Sequence, residues 1–415
     1  MKFVISLAFK NLTRYKRRTL ITAGAIAFGI MMYIFIDSML LGAEYESVRN
    51  LKWYETASAR IYNTEYWEER YQHPLDINID DPDRILNILE EAGYTATPRT
   101  IFAGDLILNS SDFGEAGNMS VAVTAIDPET DYDVYHFGDT LAEGRFLEPG
   151  EEGVVLGSWF AEDIGAEVGY WITIVTRGNG GFYEAMDLQI VGIVNCPNPN
   201  VNRTLIMMPI DTAGDYLAMD GAVTQIDIRL PDRADVQAEV DRIQELIDGN
   251  GIEVMSWRTM AKDFLALLEA KRGGTGLILF LIFIIAAVGI SNTMLMAIFE
   301  RIRELGMMRS LGMPDCKIRL AFMFEAAGIG LIGSLLGVAL GALANLYIIN
   351  VGIDYGALLR NNDLGFRIQS IFRGVWNPET MAVAFIVGIF ISSLVAYFPT
   401  RRALKMDIPS CLRHQ

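Results

Sequence analysis

The stretch LILFLIFIIAAVGISNTMLMAIF (277–299) contains no charged side chain. A bilayer core of roughly 30 Å takes about 20 apolar residues in a helix, so this run is long enough to cross one. Working outward, residues 320–349 contain one charge, Glu325, and residues 380–400 (TMAVAFIVGIFISSLVAYFPT) contain none. Residues 19–42 (TLITAGAIAFGIMMYIFIDSMLLG) carry only Asp37. A helix buried in a large soluble protein would be shorter and polar along one edge. The pattern predicts four spans, at 19–42, 275–299, 320–349 and 380–400.

Charge orients them. The segments 1–18, 300–319 and 401–415 together hold 15 basic and four acidic residues. An excess of Lys and Arg marks the cytoplasmic side. The rule therefore places a basic N-terminal helix (1–18), the 300–319 loop and the 401–415 tail inside. It leaves a balanced loop (350–379) and the block 43–272 outside. That block holds 16 basic and 42 acidic residues, which accounts for a net charge of −17 in a chain of 415 residues that is 51% hydrophobic. Long domains are exported regardless of sign, so this acidity does not vote on topology. It does exclude a nucleic-acid binder, which presents a basic stripe. A basic start followed by an apolar run could be a cleaved leader, but the run is about 24 residues and no small-residue site closes it, so an uncleaved first span is expected.

The outer block reads as an α+β domain. Runs at 58–67, 118–127, 169–178, 187–195, 202–210 and 224–232 have strand character, and 82–92 and 234–248 have apolar residues at helical spacing. A last helix, 257–272, runs toward the second span with only Gly273-Gly274 between. No catalytic or metal constellation is expected. Cys196, Cys316 and Cys411 are too scattered for a disulfide framework or zinc site, as are His73, His136 and His414 for a histidine-based one. Glu68-Glu69, Asp80-Asp81 and Glu151-Glu152 match no calcium-loop pattern. The glycines of 178–181 lack the Lys-Ser/Thr of a phosphate loop and read as a hairpin tip. No nucleotide-binding motif occurs, so ATP and Mg would have to be used by another chain.

Within the spans, Gly333, Gly337 and Gly341 lie four apart on one face and mark a close helix–helix contact, within the chain or between protomers. Asp37 and Glu325 lie within a few turns of a membrane face and are expected to snorkel to the headgroups. Phe28, Met31, Met32, Phe35 and Met39 give the first span large, adaptable groups suited to lipid or to a varied ligand.

The most specific stretch is NTMLMAIFERIRELGMMRSLGMPDCKIRLAFMFEAAGIGLIGSLLG (292–337). It resembles the E-R-x-R-E-[IL]-G-x-[ML]-R-[AS]-[LI]-G pattern of FtsX-like and MacB-type ABC-transporter permeases. LAFKNLTRYKRRTLIT (7–22), AIDPETD (125–131), EGRFL (143–147), GVVLGSWFAEDIGAEVGYWITI (153–174) and FPTRRALKMDIPSCLR (398–413) are similar to other parts of that pattern, in order along the chain. SWRTMAKDFLALLEAKR (256–272) looks most like the lipoprotein-releasing LolC/LolE type. Met313-Pro314 departs from the family's usual small residues, and CPNPN (196–200) has no counterpart in it. The resemblance implies a four-helix membrane protein with a large α+β extracytoplasmic domain between helices 1 and 2, in the bacterial inner membrane. It implies no bound cofactor, a separate cytosolic ABC ATPase dimer, a second permease protomer (identical or homologous), a lipoprotein substrate and a periplasmic chaperone.

A coupling role would fall on the short amphipathic segment with Glu300, Arg301, Arg303 and Glu304, turned by Gly306 and Gly312. Met307, Met308 and Arg309, with Leu311, would meet the ATPase. The alternatives are a MacB-like efflux permease for a peptide or small molecule, and an FtsX-like scaffold that regulates an exterior hydrolase.

Overall fold

The computed structural model describes residues 16–108, 113, 117–231, 234–247, 251–354 and 371–406. The predicted N-terminal helix up to residue 15, most of the outer loop (355–370) and the end of the tail (407–415) lie outside the described residues. The chain divides into two compact units, one made of 1–43, 268–354 and 371–415, the other of 44–267 with 355–370.

The first unit is helical. Among the described residues three helices are long and apolar enough to cross a membrane: Thr19–Thr56, Asp315–Asn350 and Pro378–Ala403. The predicted second span lies on a 39-residue helix, Lys262–Glu300, whose apolar stretch Ala287–Glu300 is described. Gly273-Gly274 does not interrupt this helix. The break lies earlier, at Ala261 (φ −96, ψ 24), after a single turn Trp257–Met260. Ile26, Ile30 and Ile34 of the first helix share one core with Ile290 and Met294 of the second, Ala326 and Ile329 of the third, and Ala384 of the fourth. Between helices in lipid such a contact is held by close packing rather than by removal of apolar surface from water.

The glycine stripe makes its contact within the chain. A Cβ at Gly333 would lie 2.8 Å from the Ala23 carbonyl oxygen, and one at Gly337 would lie 2.8 Å from Ile30 Cβ. At Gly341 the nearest atom would be Ile34 Cβ at 3.1 Å. The third helix therefore lies against the first over about two to three turns, where side chains would hold them apart. The opposite side of the first helix carries Phe28, 60% exposed, with Met31, Met32, Phe35 and Met39 half-buried.

The second unit is built on one ten-stranded sheet. The strands are β1 (Ala59–Asn63), β2 (Thr95–Leu108), β3 (Gly117–Ile126), β4 (Leu141–Gly144), β5 (Gly153–Gly157), β6 (Trp171–Arg177), β7 (Tyr183–Val194), β8 (Ile206–Pro209), β9 (Gln225–Arg229) and β10 (Ile252–Ser256). Their order is β10-β1-β9-β2-β3-β8-β5-β7-β4, with β6 bridging β2 and β7. Among the described residues, only β3–β8 and β5–β7 pair in parallel. The 178–181 glycines form the tip of the β6–β7 hairpin, with Gly181 at φ +82. Helix Pro82–Glu91 starts on Asp81, whose Oδ1 accepts from Arg84 N at 3.2 Å, and buries Ile85 and Leu89 completely.

Two sequence expectations change. The strand expected at 58–67 ends at Asn63, and a helical turn Tyr66–Glu69 follows. The one expected at 202–210 begins only at Ile206, because Asn198 caps a short helix Pro199–Thr204. The CPNPN segment is thus a structural turn, with Cys196 fully buried and its Sγ 3.3 Å from Asn202 Oδ1.

Candidate functional site

In the helical unit the predicted coupling segment forms its own short helix, Ile302–Ser310. Arg301 (φ −113, ψ 20) leaves helical geometry and separates it from the long helix that ends at Glu300. Ile302 and Leu305, one turn apart, turn inward to pack with Ile298, Ile318, Phe322, Ala403 and Leu404. The far end closes through Gly312 at φ +82, with Met313 N donating to Met308 O at 3.0 Å. That is the bond pattern of a glycine-terminated helix, and a Cβ would strain it.

The segment is two-faced. Glu300, Arg303 and Gly312 are exposed, as are Met307 (52%) and Leu311 (87%). Glu304, Met308 and Arg309 are half-buried. Arg303, Met307 and Leu311 are spaced by four residues, so one stripe joins a guanidinium to two apolar side chains that face away from the core. Arg309 works internally: Nη1 donates to the Met406 carbonyl at 2.7 Å, and Nε lies 3.1 Å from Asp315 Oδ1. It ties the helix to the tail and to the start of the third long helix.

Three expectations are corrected here. Arg301 is 3% exposed and does not lie on the outer face; its Nη1 contacts Glu325 Oε2 at 3.1 Å. Glu325, 2% exposed, therefore does not snorkel. Charge removed from water needs a partner, and a buried arginine is a better one than a distant headgroup. Gly306 is buried inside the helix and turns nothing. Asp37 also has a protein partner, since Asn377 Nδ2 donates to its Oδ2 at 3.0 Å.

The sheet unit holds a second polar constellation that sequence reasoning missed. Arg60 Nε pairs with Asp227 Oδ1, and Arg60 Nη1 donates to Tyr62 OH at 2.9 Å. Arg60 Nη2 donates to the Glu55 carbonyl at 3.0 Å, and Tyr135 OH donates to Asp227 Oδ2 at 2.8 Å. Arg99 grips Asp131 with two bonds, of 2.6 and 2.9 Å, and stacks 3.4 Å over the Tyr135 ring. Asp131 and Asp227 are fully buried. Burial is the largest single influence on Arg60 and lowers its pKa, but the Asp227 carboxylate together with the Tyr62 and Tyr135 hydroxyls outweighs it and holds the guanidinium well above its ordinary value. Glu55 closely follows the first long helix, and Tyr62 OH lies 3.5 Å from Met260 Sδ, just before the second. The available signal was faint. In ARIYN (59–63) and QIDIR (225–229) the charge sits between apolar residues, as in a strand buried on both faces.

Such an arrangement, apolar helices with an inserted α+β unit and a two-faced loop helix, defines a membrane protein of the permease class. Two family models match: "MacB-like periplasmic core domain" over residues 19–246 and "FtsX-like permease C-terminal" over 276–408. The chain belongs to this family of ABC transporter permeases, of the LolC/MacB type.

It is 26% identical to the lipoprotein-releasing system transmembrane protein LolC of Neisseria meningitidis, over 75% of this chain and 78% of that one. It is 24% identical to the macrolide export ATP-binding/permease protein MacB of Escherichia coli, over 97% of this chain but 59% of that protein's length. The crystal structure of the periplasmic region of MacB from Actinobacillus actinomycetemcomitans aligns at 17% identity and a TM-score of 0.38, covering 52% of this chain and 97% of that one.

Proposed function

We propose that the chain is the transmembrane subunit of a mechanotransmitting ABC transporter that extracts lipoproteins from the inner membrane. It spans four times with both termini cytoplasmic, pairs with a second protomer and hands its cargo to a periplasmic carrier. A separate ATPase dimer supplies the energy from Mg-ATP. The carrying observation is the loop helix: one face is locked into the helical unit, while Arg303, Met307 and Leu311 stand open on the other. Closure of an ATPase dimer against that stripe would move the inner ends of the second and third helices, which the buried Arg301–Glu325 pair holds together. Arg60 bonds to Glu55, just after the first helix, and Tyr62 lies against Met260, just before the second, so in this reading their buried network would receive such a movement. Phe28, Met31, Met32, Phe35 and Met39 would present the lipid-facing surface to acyl chains.

Support for lipoprotein release comes from the similarity to LolC across 78% of that protein. A MacB-like efflux permease is the second reading, favoured by alignment of 97% of this chain to MacB.

The test is co-purification from native membranes followed by mass spectrometry, then reconstitution with the recovered ATPase. An ATPase partner and ATP-dependent release of a triacylated lipoprotein are expected. Recovery of an ATPase without lipoprotein release would move the reading to efflux, and absence of any ATPase would sink it. An Arg303→Glu/Leu311→Asp double variant is expected to lose ATPase assembly while still inserting; assembly at the unmodified level would refute the docking face.

A further inference from the structure

The sheet unit contains an acidic cleft of about 580 Å³ that the transport reading does not use. Four carboxylates, Asp83, Asp211, Asp215 and Asp220, stand on it, and none of its lining residues is basic. Among the described residues none of the four makes an ion pair. The walls below them are apolar, with Met219 3% and Val223 4% exposed.

A second, independent feature lies in the same cleft. Thr100 lines it from β2 and is 2% exposed, yet its Oγ1 has no hydrogen-bond partner. Strand alternation turns Arg99 toward the ionic network and sends Thr100, with Pro98, to the opposite side, which is the cleft. Buried hydroxyls in native proteins are nearly always bonded, and one left alone next to a cavity asks for a donor from whatever fills it.

A metal ion does not fit. No group of three or more metal-ligating side chains comes together among the described residues, and calcium requires six to eight oxygens converging at roughly 2.3–2.6 Å. Carboxylates spread around an apolar hollow suit a larger cation that brings its own donors. Its alkyl part would cover the apolar walls while its N–H groups reach the carboxylates and Thr100 Oγ1. The volume lies in the range of small-ligand sites, about 300–1,000 Å³.

The geometry points to this cleft as a binding site for an organic ammonium or guanidinium group, carried by a free polyamine or by the basic side chain of a peptide. The site stands whether the transporter moves lipoproteins or anything else.

The experiment is isothermal titration of the full-length protein in detergent with spermidine, with acetyl-Gly-Lys-Gly-amide and with Ca²⁺. Saturable binding of spermidine or of the peptide is expected, weakening as salt rises. Spermidine binding alone identifies a free cation; peptide binding alone identifies a basic side chain. Asp211→Asn/Asp215→Asn should weaken it roughly tenfold or more, since bonds to charged groups are lost. Thr100→Val gives a readout that a purely structural role would not: affinity falls about threefold to tenfold while the ligand-free protein melts no lower, because its lone hydroxyl is gone. Absence of saturable binding by either amine, binding of Ca²⁺ alone, or affinity unchanged in both variants would overturn the assignment.

Discussion

Asp227 shows how much rests on single side chains in the sheet unit. It accepts from Arg60, Tyr135 and Gln225 while fully buried. Removing one partner of a buried pair leaves an uncompensated charge, so Asp227→Ala should cost about 3–5 kcal/mol. Urea unfolding followed by far-UV circular dichroism measures this, and Asp227→Ala/Arg60→Met should recover part of the loss. A loss within experimental error of zero would show that the network is solvated. Cys196 and Cys316 differ as sharply. Burial pushes the Cys196 thiol up to about 12, whereas Cys316 is exposed. Maleimide at neutral pH should therefore label Cys316 and spare Cys196 in the folded protein, with both labelled after denaturation.

The linkage sign for Cys196 follows from its raised pKa. The folded state keeps a proton that the unfolded thiol gives up near 9.0, so this contribution is whole below that pH and fades between 9.0 and about 12. Between those limits the stability of the natural protein should fall more steeply with pH than that of Cys196→Ala. Parallel slopes would show that the thiol is not the cause.

At the scale of elements, the helix contacts give a position-dependent prediction. Gly337→Val would drive a side chain into Ile30 and the Ala27 carbonyl, while a Cβ at Gly24 meets nothing within 4 Å. The first change should destabilise the bundle by about 1–3 kcal/mol or more. Gly24→Ala should be neutral or gain up to about 1 kcal/mol. Thermal unfolding in detergent ranks the two; equal effects would show that the close approach is not required. The longest strand, β2, was invisible in TATPRTIFAGDLIL (95–108), because Pro98 and Gly104 read as breakers. Both are accommodated by tertiary contacts: Pro98 faces Ile226 of β9, and a Cβ at Gly104 would come within 2.8 Å of Ile174 on β6. Helix Pro82–Glu91 was legible, since an Asp–Pro start and apolar residues at helical spacing need no distant partner.

For the whole molecule, the division into a helical unit and a sheet unit follows the segregation of charge along the chain. Among the described residues, the ten strands of the sheet unit and the buried apolar clusters between them lie within 54–256. A fragment spanning 44–267 is therefore expected to fold without the membrane helices and to melt in one cooperative transition. A molten fragment lacking near-UV dichroism would show that the helices are needed to order it.

The long apolar helices, the α+β character of the inserted block and the two-faced loop helix were set by local pattern. Apolar length and charge act on a segment whatever surrounds it, and so they can be read in one dimension. The partners of Arg301, Asp37 and Arg60, the passage of the second helix through Gly273-Gly274, and the contact of Gly333–Gly337–Gly341 with the first helix were decided by tertiary structure alone. Each depends on which distant residue arrives within a few ångströms, and that follows from the packing of whole elements.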